Sequence, residues 1–230
     1  MRQDYFKATD YGRNAKSAIR IAAAALALLG LSFVATAGAA SAQTLASLPS
    51  ASRPIGDLGT AKPIVGWLKF CEKFPSECTV DVKEPALVDL TPQIWKTIVS
   101  VNQRVNNMIE PVTDMEHWGV VDDWAFPDDG KGDCEDYQLL KRRMLSENGV
   151  PRRAMRMTVV IDELGEGHAV LMLRTNKGDY VLDNKTSSVL PWDRTGYVFI
   201  KRESQQAQAW VSLGSVTSPI VSAPTTTANR

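Results

Sequence analysis

The spacing of the apolar residues changes abruptly near Pro151, and this change constrains the fold more than any other feature. Before it, apolar residues recur at helical spacing from Thr91 to Asn107 and from about Cys134 to Asn148. After it, apolar and polar residues alternate, as they do in half-buried strands separated by Gly-rich turns. Helices followed by an antiparallel meander predict an α+β fold, with the N-terminal helices packed on the sheet. The predicted strands are Met155–Ile161, His168–Leu173, Tyr180–Asp183 and Gly196–Lys201.

The N-terminus carries a basic leader followed by a nearly uncharged run from Ile19 to Ala42. This run ends in Ala40-Ser41-Ala42, a small-x-small pattern typical of signal peptidase cleavage. A retained membrane anchor is the alternative, because the run is long enough to span a bilayer. The cleavage pattern favours a secretory signal, so we expect a periplasmic protein without stable membrane insertion after cleavage.

Composition divides the rest of the chain into three parts. Residues 43–65, rich in Ser, Ala, Pro and Gly, are predicted to be a linker or extended arm. Residues 66–211 are predicted to form the folded domain, and residues 212–230 a disordered tail. The formal net charge of +0 gives no argument for a nucleic-acid partner, which would require a basic surface.

The predicted export determines how the three cysteines of the chain are interpreted. Cys71 and Cys78 are close in sequence, with Pro75 between them to favour a turn, so an oxidising compartment would allow a local disulfide. Cys134 is then an odd thiol, which in an exported protein indicates a reactive group. A zinc site is disfavoured because the chain has no CxxC pair near a histidine.

Cys134 lies where a reactive thiolate is easiest to form. It begins the second predicted helix after Gly132 and Asp133, and unpaired N–H groups at a helix N-terminus favour negative charge. The alternative is a buried, inert cysteine, but the flanks are too polar for a core segment. Glu135 and Asp136 argue against a thiolate at Cys134, because nearby carboxylates raise the pKa of a thiol.

His168 and Asp183 are the candidate partners of Cys134 in a cysteine hydrolase. A histidine must exchange a proton with the thiol, and a third group must orient that histidine. A three-residue loop at 176–178 would place Asp183 opposite Leu171, about 10 Å along the strand from His168, so strand register alone leaves them apart. His117, the other histidine, is the fallback base.

The motifs Gly132-Asp133-Cys134-Glu135-Asp136-Tyr137, Gly167-His168-Ala169 and Leu182-Asp183-Asn184 resemble those of the bacterial transglutaminase-like cysteine proteinases. The resemblance covers roughly residues 65–203 and preserves the order of the three motifs. It implies a papain-like, transglutaminase-like core and gives the catalytic roles to Cys134, His168 and Asp183.

The resemblance also implies a calcium site and a class of substrate. Relatives of the LapG type are periplasmic proteases that cleave surface adhesins and bind calcium through acidic residues matching Asp133, Glu135 and Asp136. Several oxygen ligands are required, so Asp128 or Asp129 would contribute. Alternatively, these carboxylates only cap the helix and remain solvated. No organic cofactor is expected.

The function predicted from the sequence is therefore that of an exported cysteine peptidase acting on a protein substrate, such as a surface adhesin. A transglutaminase or amidase on the same core is an alternative, because an acyl-enzyme can be resolved by water or by an amine. A non-enzymatic periplasmic interaction module is another. Nothing in the sequence indicates a regulatory receptor or an oligomeric state.

Overall fold

An antiparallel sheet of seven strands is the centre of the fold. The structure is a computed structural model that describes residues 48–217. The predicted leader, residues 43–47 and residues 218–230 lie outside the described range. The helices are α1 (Val65–Lys73), α2 (Pro75–Cys78), α3 (Pro92–Met108), α4 (Asp114–His117) and α5 (Cys134–Glu147). The strands are β1 (Thr60–Ala61), β2 (Glu110–Pro111), β3 (Lys131–Gly132), β4 (Met155–Ile161), β5 (Gly167–Thr175), β6 (Gly178–Leu182), β7 (Leu190–Pro191), β8 (Val198–Glu203) and β9 (Trp210–Thr217).

The order of strands in the large sheet is β1-β9-β8-β4-β5-β6-β7, and every neighbouring pair is antiparallel. Strands β2 and β3 form a separate parallel pair at the two ends of the segment 110–132, which precedes α5. Helices thus come before most of the sheet in the chain, which confirms the α+β class predicted from the periodicity.

The two long helices begin and end close to their predicted limits. The Thr91 side chain caps α3 by accepting a hydrogen bond from the Ile94 N–H at 3.2 Å, and Pro92 occupies the first turn, where no N–H is needed. Helix α5 begins at Cys134, directly after Asp133. Within residues 48–217, no helix is long and apolar enough to cross a membrane.

Strand β5 separates two apolar clusters because its side chains alternate between the faces of the sheet. Leu171 and Leu173 pack in the larger cluster, together with buried residues of α1, α3 and α5. Val170 and Met172 pack in the smaller cluster on the other face, where Ile55 is also buried. Helix α5 contacts β5, so the N-terminus of the helix lies against the beginning of this central strand.

The folded domain extends beyond the limits predicted for it, which is a correction to the boundaries 66–211. Strand β1 lies inside the predicted arm and pairs with β9, where Thr60 is opposite Val211. The Ile55 N–H donates to Asp179 Oδ2 at 2.8 Å, and β9 continues to Thr217 inside the predicted tail. These segments are held largely by backbone pairing and a few anchors, so their composition gives little periodic signal.

The hairpin between β5 and β6 has a different register from the predicted one. Thr175 pairs with Gly178, so the turn is the two residues Asn176 and Lys177 rather than three. Gly178 has φ +108°, a conformation that glycine adopts without strain. The register of β6 is therefore shifted by one residue, which changes the face of the sheet on which the following residue lies.

Candidate active site

Cys134 is the first residue of α5 and is partly exposed. Asp133 precedes the helix in an extended conformation and makes no side-chain capping bond. The first turn therefore presents backbone N–H groups and the positive end of the helix dipole close to the sulfur. The sequence predicted this position, and it is one that favours a negative charge on the thiol.

Two groups contact the Cys134 sulfur directly. The thiol donates to Glu135 Oε2 at 3.0 Å, and the Ala169 N–H donates to Sγ at 3.4 Å. The second contact ties the nucleophile candidate to the strand that carries the histidine. Burial raises the pKa of the Cys134 thiol well above its ordinary value, and the Glu135 carboxylate raises that pKa further.

His168 and Asp183 form a buried pair. His168 Nε2 lies 2.9 Å from Asp183 Oδ1, and the two residues are 6% and 2% exposed. Burial opposes the charged form of Asp183, but the hydrogen bonds from His168 and Tyr197 outweigh it, so the pKa of this carboxyl lies below its ordinary value. Asp183 is thus suited to orient the imidazole as an anion.

Tyr197 belongs to this pair, although sequence reasoning did not single it out. Its hydroxyl donates to Asp183 Oδ2 at 2.6 Å, and its ring meets the His168 ring edge-on, with the centroids 5.8 Å apart. The one weak signal for it in the sequence is an aromatic residue directly before strand β8. Tyr197 occupies the second oxygen of Asp183 and so leaves the first for His168.

Cys134 and His168 line one open cleft of about 180 Å³, together with Trp124 and Ala169. Because Nε2 of His168 is occupied by Asp183, Nδ1 is the ring nitrogen left for the thiol. The structure thus brings together the three residues predicted from the sequence: Cys134 and His168 line one cleft, and Asp183 is hydrogen-bonded to the histidine.

His117, the fallback base, lies elsewhere. Its Nε2 is 2.8 Å from Asp129 Oδ2, and its ring stacks on Trp118 with 3.8 Å between centroids. Neither His117 nor Asp129 lines the cleft that contains Cys134. The suggestion that Asp128 or Asp129 joins a calcium site is also not supported, because neither belongs to the carboxylate groups described next.

A group of carboxylates surrounds the N-terminus of α5. Oxygens of Asp114, Asp122 and Glu135 lie within 4.8 Å of one another, and so do oxygens of Asp114, Asp133 and Asp136. Two of these acids, Asp114 and Asp122, lie far from the Cys134 motif in the sequence and were not predicted. They reach it because α4 and the segment after it fold back against the helix.

The acids of this cluster are held in an environment that disfavours their charge. Burial, with the neighbouring Asp133 charge, raises the pKa of Glu135 well above its ordinary value. Burial also raises the pKa of Asp136 to about 8, despite a hydrogen bond from the Ala125 N–H. Asp133 Oδ1 is buried and has no hydrogen-bond partner in the part of the chain that the structure describes. Crowded, desolvated carboxylates with a free oxygen are the donor set that fits a hard divalent cation.

Two glycines leave room for this cluster. A Cβ on Gly132 would lie 2.7 Å from Asp136 Oδ2, and a Cβ on Gly66 would lie 2.3 Å from Asp122 Oδ2. The Gly66 N–H also donates to Asp122 at 3.0 Å. Asp136 and Asp122 are therefore packed against the backbone, so their positions are more restricted than those of acids in an exposed patch.

Cys71 and Cys78 are joined by a disulfide that links α1 to α2, with 5.6 Å between their Cα atoms. Cys134 is the free cysteine of residues 48–217. The thiol of the cleft therefore has no cysteine partner in the described structure.

The fold and this cleft define an α+β protein with a thiol at a helix N-terminus and a buried His–Asp pair on the adjoining sheet. The model of the bacterial transglutaminase-like cysteine proteinases matches residues 57–218. The chain belongs to this family. The matched range, residues 57–218, also includes strands β1 and β9, which extend beyond residues 66–211.

Among solved structures, the chain is similar to LapG of Legionella pneumophila, at 28% identity over 47% of this chain and 64% of that one, with a TM-score of 0.42. Structures of the same protein treated with EGTA and bound to calcium match at 28% and 23% identity. The EGTA-treated structure covers 47% of this chain and 62% of its own, and the calcium-bound structure covers 55% of this chain and 81% of its own. Both have a TM-score of 0.42. No curated protein matches significantly.

Proposed function

We propose that this protein is an exported cysteine peptidase in which Cys134 is the nucleophile, His168 exchanges the proton and Asp183 orients the histidine. The observation that carries the proposal is the cleft lined by both Cys134 and His168, together with the hydrogen bond of 2.9 Å between His168 and Asp183. Membership of a cysteine proteinase family supports the same chemistry.

The reaction begins when the thiol proton passes from Cys134 to Nδ1 of His168. The thiolate sulfur attacks the carbonyl carbon of a peptide bond, and the negative charge that develops on the oxygen faces the backbone N–H groups at the start of α5. The imidazolium then gives its proton to the departing amine, and an acyl-enzyme remains. Water then attacks the thioester carbon and gives a proton to His168. The carbon–sulfur bond breaks, the carboxylic acid product is released, and the imidazolium returns its proton to the Cys134 thiolate.

Asp183 acts on the histidine throughout these steps. Its carboxylate accepts the Nε2–H, which keeps Nδ1 toward the sulfur and stabilises the imidazolium when it forms. Tyr197 binds the other carboxylate oxygen at 2.6 Å and restricts rotation of the acid. Both contacts are buried, so water does not compete for them.

We further propose that calcium binds the carboxylates Asp114, Asp122, Asp133, Glu135 and Asp136. Burial raises the pKa of the Cys134 thiol, and the Glu135 and Asp133 carboxylates raise that pKa further, so without a cation the acidic flank opposes the thiolate that the reaction requires. A bound calcium ion would supply positive charge that offsets the flank. Because Glu135 accepts from the thiol, its coordination by a cation would also free the sulfur to face His168.

The leader and the disulfide support export. A basic segment, an apolar run and a small-x-small ending form a secretory signal, and the Cys71–Cys78 bridge suits an oxidising compartment. We propose a periplasmic location and an exported protein as the substrate. A large surface adhesin is the substrate class that the family resemblance implies.

The experiment that tests this function compares wild-type protein with Cys134→Ala in an extract of exported proteins, with calcium added. New N-termini are labelled and identified by mass spectrometry, and we expect them only with the wild type. If the wild type creates none, peptidase activity is contradicted. Incorporation of a fluorescent primary amine into glutamine side chains, without new N-termini, would instead establish acyl transfer.

A further inference from the structure

A layer of buried polar groups lies between α3, α5 and the loop Asp183–Ser188, which follows β6. Asn106 donates to the carbonyl oxygens of Asp183 and Thr186, at 2.9 and 3.0 Å. Asn102 donates to the carbonyl oxygens of Thr186 and Ser187, at 3.3 and 3.2 Å. Gln138 of α5 reaches the same loop at 3.5 Å. The loop that begins with the triad acid is therefore held by amide side chains rather than by apolar packing.

Lys141 lies in this layer and is completely buried, at 0% exposure. It is one turn along α5 from Gln138, on the same face of the helix, and its Nζ lies 5.8 Å from the centre of the Tyr137 ring. Nζ has no hydrogen-bond partner among residues 48–217. A buried ammonium without a direct partner costs free energy, so stability alone does not explain a lysine here.

The other unpaired atoms of this layer have the opposite polarity. Within residues 48–217, Asn102 Oδ1, Asn106 Oδ1 and Gln138 Oε1 are buried without a donor. Each belongs to a side chain whose amide nitrogen binds the Asp183–Ser188 loop. Buried acceptor oxygens from α3 and α5 make this layer an environment suited to a cation.

Asp183 is the charged group that acts on Lys141. Burial lowers the pKa of Lys141 to about 7, although the Asp183 carboxylate favours the protonated ammonium. The α3 side chains of the layer, Asn102 and Asn106, are neutral, and the titratable partner of Asp183 on β5 is His168. A positive charge on Lys141 therefore acts electrostatically on Asp183, and it affects His168 because Asp183 is bonded to that histidine.

We propose that Lys141 is a positioning residue for the Asp183–His168 pair: a buried cation beneath the loop keeps the acid ionised and directed at the histidine. The proposal rests on the proposed function, because it assigns Lys141 to that site. Burying the Lys141 ammonium lowers folding stability, and in this proposal the residue is retained because its charge acts on the Asp183–His168 pair.

The test replaces Lys141 with methionine and follows His168 by NMR in protein carrying 13C-labelled histidine. The chain has only 2 histidines, so His117→Asn assigns the spectrum. We expect the pKa of His168 to rise by about half a unit or more, because a nearby positive charge has been removed. We also expect an unchanged or higher Tm, because methionine replaces an unpaired buried cation.

Lys96→Met is the matched control, since Lys96 is an exposed lysine of α3, and it should change neither quantity. A His168 pKa within about 0.2 units of wild type in Lys141→Met would overturn the proposal, since a neighbouring charge must act on it. So would a lowered Tm or failure to fold, which would make Lys141 a structural residue.

Alkylation of Cys134 by iodoacetamide in the same samples separates the two proposals. If Cys134 of the wild type is not alkylated, the proposed peptidase fails. If it is alkylated and Lys141→Met leaves His168 unchanged, only the role of Lys141 fails.

Discussion

His168 and Asp183 are bonded at 2.9 Å, although the strand register places them diagonally rather than directly opposite each other. Leu171 is opposite Leu182, so one further residue places Asp183 opposite Val170, two positions from His168 on the same face. Diagonal neighbours in an antiparallel pair are within reach of long side chains. The two-residue turn at Asn176 and Lys177 therefore allows the hydrogen bond between His168 and Asp183, since one extra residue would move Asp183 to the other face.

Replacing Cys134 with alanine should abolish alkylation of the protein by iodoacetamide at mildly acidic pH. The reason is that Cys71 and Cys78 are bridged, so the described residues offer one free thiol. The measurement is the intact mass before and after treatment, with reduction of the bridge as the positive control. Undiminished labelling of the alanine variant would place the reactive thiol elsewhere.

Replacing Asp183 with asparagine should lower kcat/KM by about 10²- to 10⁴-fold, by analogy with the loss of the orienting acid in other triads. The amide keeps the shape of the acid but cannot accept the Nε2–H of His168 in the same way. Tyr197→Phe, which removes one bond to the acid and leaves its charge, should have a much smaller effect. Equal losses in both variants would contradict the orienting role.

Asp183 should also contribute to the pH dependence of stability. Because its pKa in the folded protein lies below the ordinary value, its contribution is complete above about pH 4 and is lost as the pH falls further. The decline in Tm of the wild type between about pH 4 and pH 2.5 should therefore be shallower in Asp183→Asn. Parallel curves for the two proteins would show that Asp183 has an ordinary pKa.

Calcium should raise Tm, and EGTA should reverse the rise. A ligand that binds only the folded state at about 100 times its dissociation constant adds about 2.7 kcal/mol, or roughly 5–10 °C for a domain of this size. Asp122→Asn should weaken the effect, because Asp122 belongs to the carboxylate cluster. Asp128→Asn, an exposed acid outside the cluster, is the control. No response of the wild type to calcium would rule out the site.

The helices and the main strands could be predicted because each has a local signal. Cys134 is at a helix start and His168 is at the beginning of a strand, but the catalytic roles of Cys134, His168 and Asp183 stay a prediction. The contributions of Asp122 and Tyr197 depend on tertiary contacts and have no local pattern. The hairpin register was wrong by one residue because Gly178 serves equally well in a turn or at the first position of a strand.

Replacing Gly132 with alanine tests how closely the acidic cluster is packed against the backbone. A Cβ at this position would lie 2.7 Å from Asp136 Oδ2 and 2.8 Å from Asp136 Cβ, closer than such atoms approach in folded proteins. Asp136 must therefore move or the start of α5 must shift, and Cys134 lies on that same turn. We expect Gly132→Ala to reduce both the calcium-dependent rise in Tm and the rate of Cys134 alkylation.

Gly56→Ala is the matched control for this variant, because a Cβ on Gly56 meets nothing within 4 Å and should leave both quantities unchanged. The two readouts should fall together in Gly132→Ala, since one displacement of the helix start affects the acid and the thiol. A variant that loses the calcium response but keeps wild-type alkylation would show that the cation site and the nucleophile are independent. In that case the acidic flank would not govern the thiolate, and the proposed role of calcium in the peptidase would have to be abandoned.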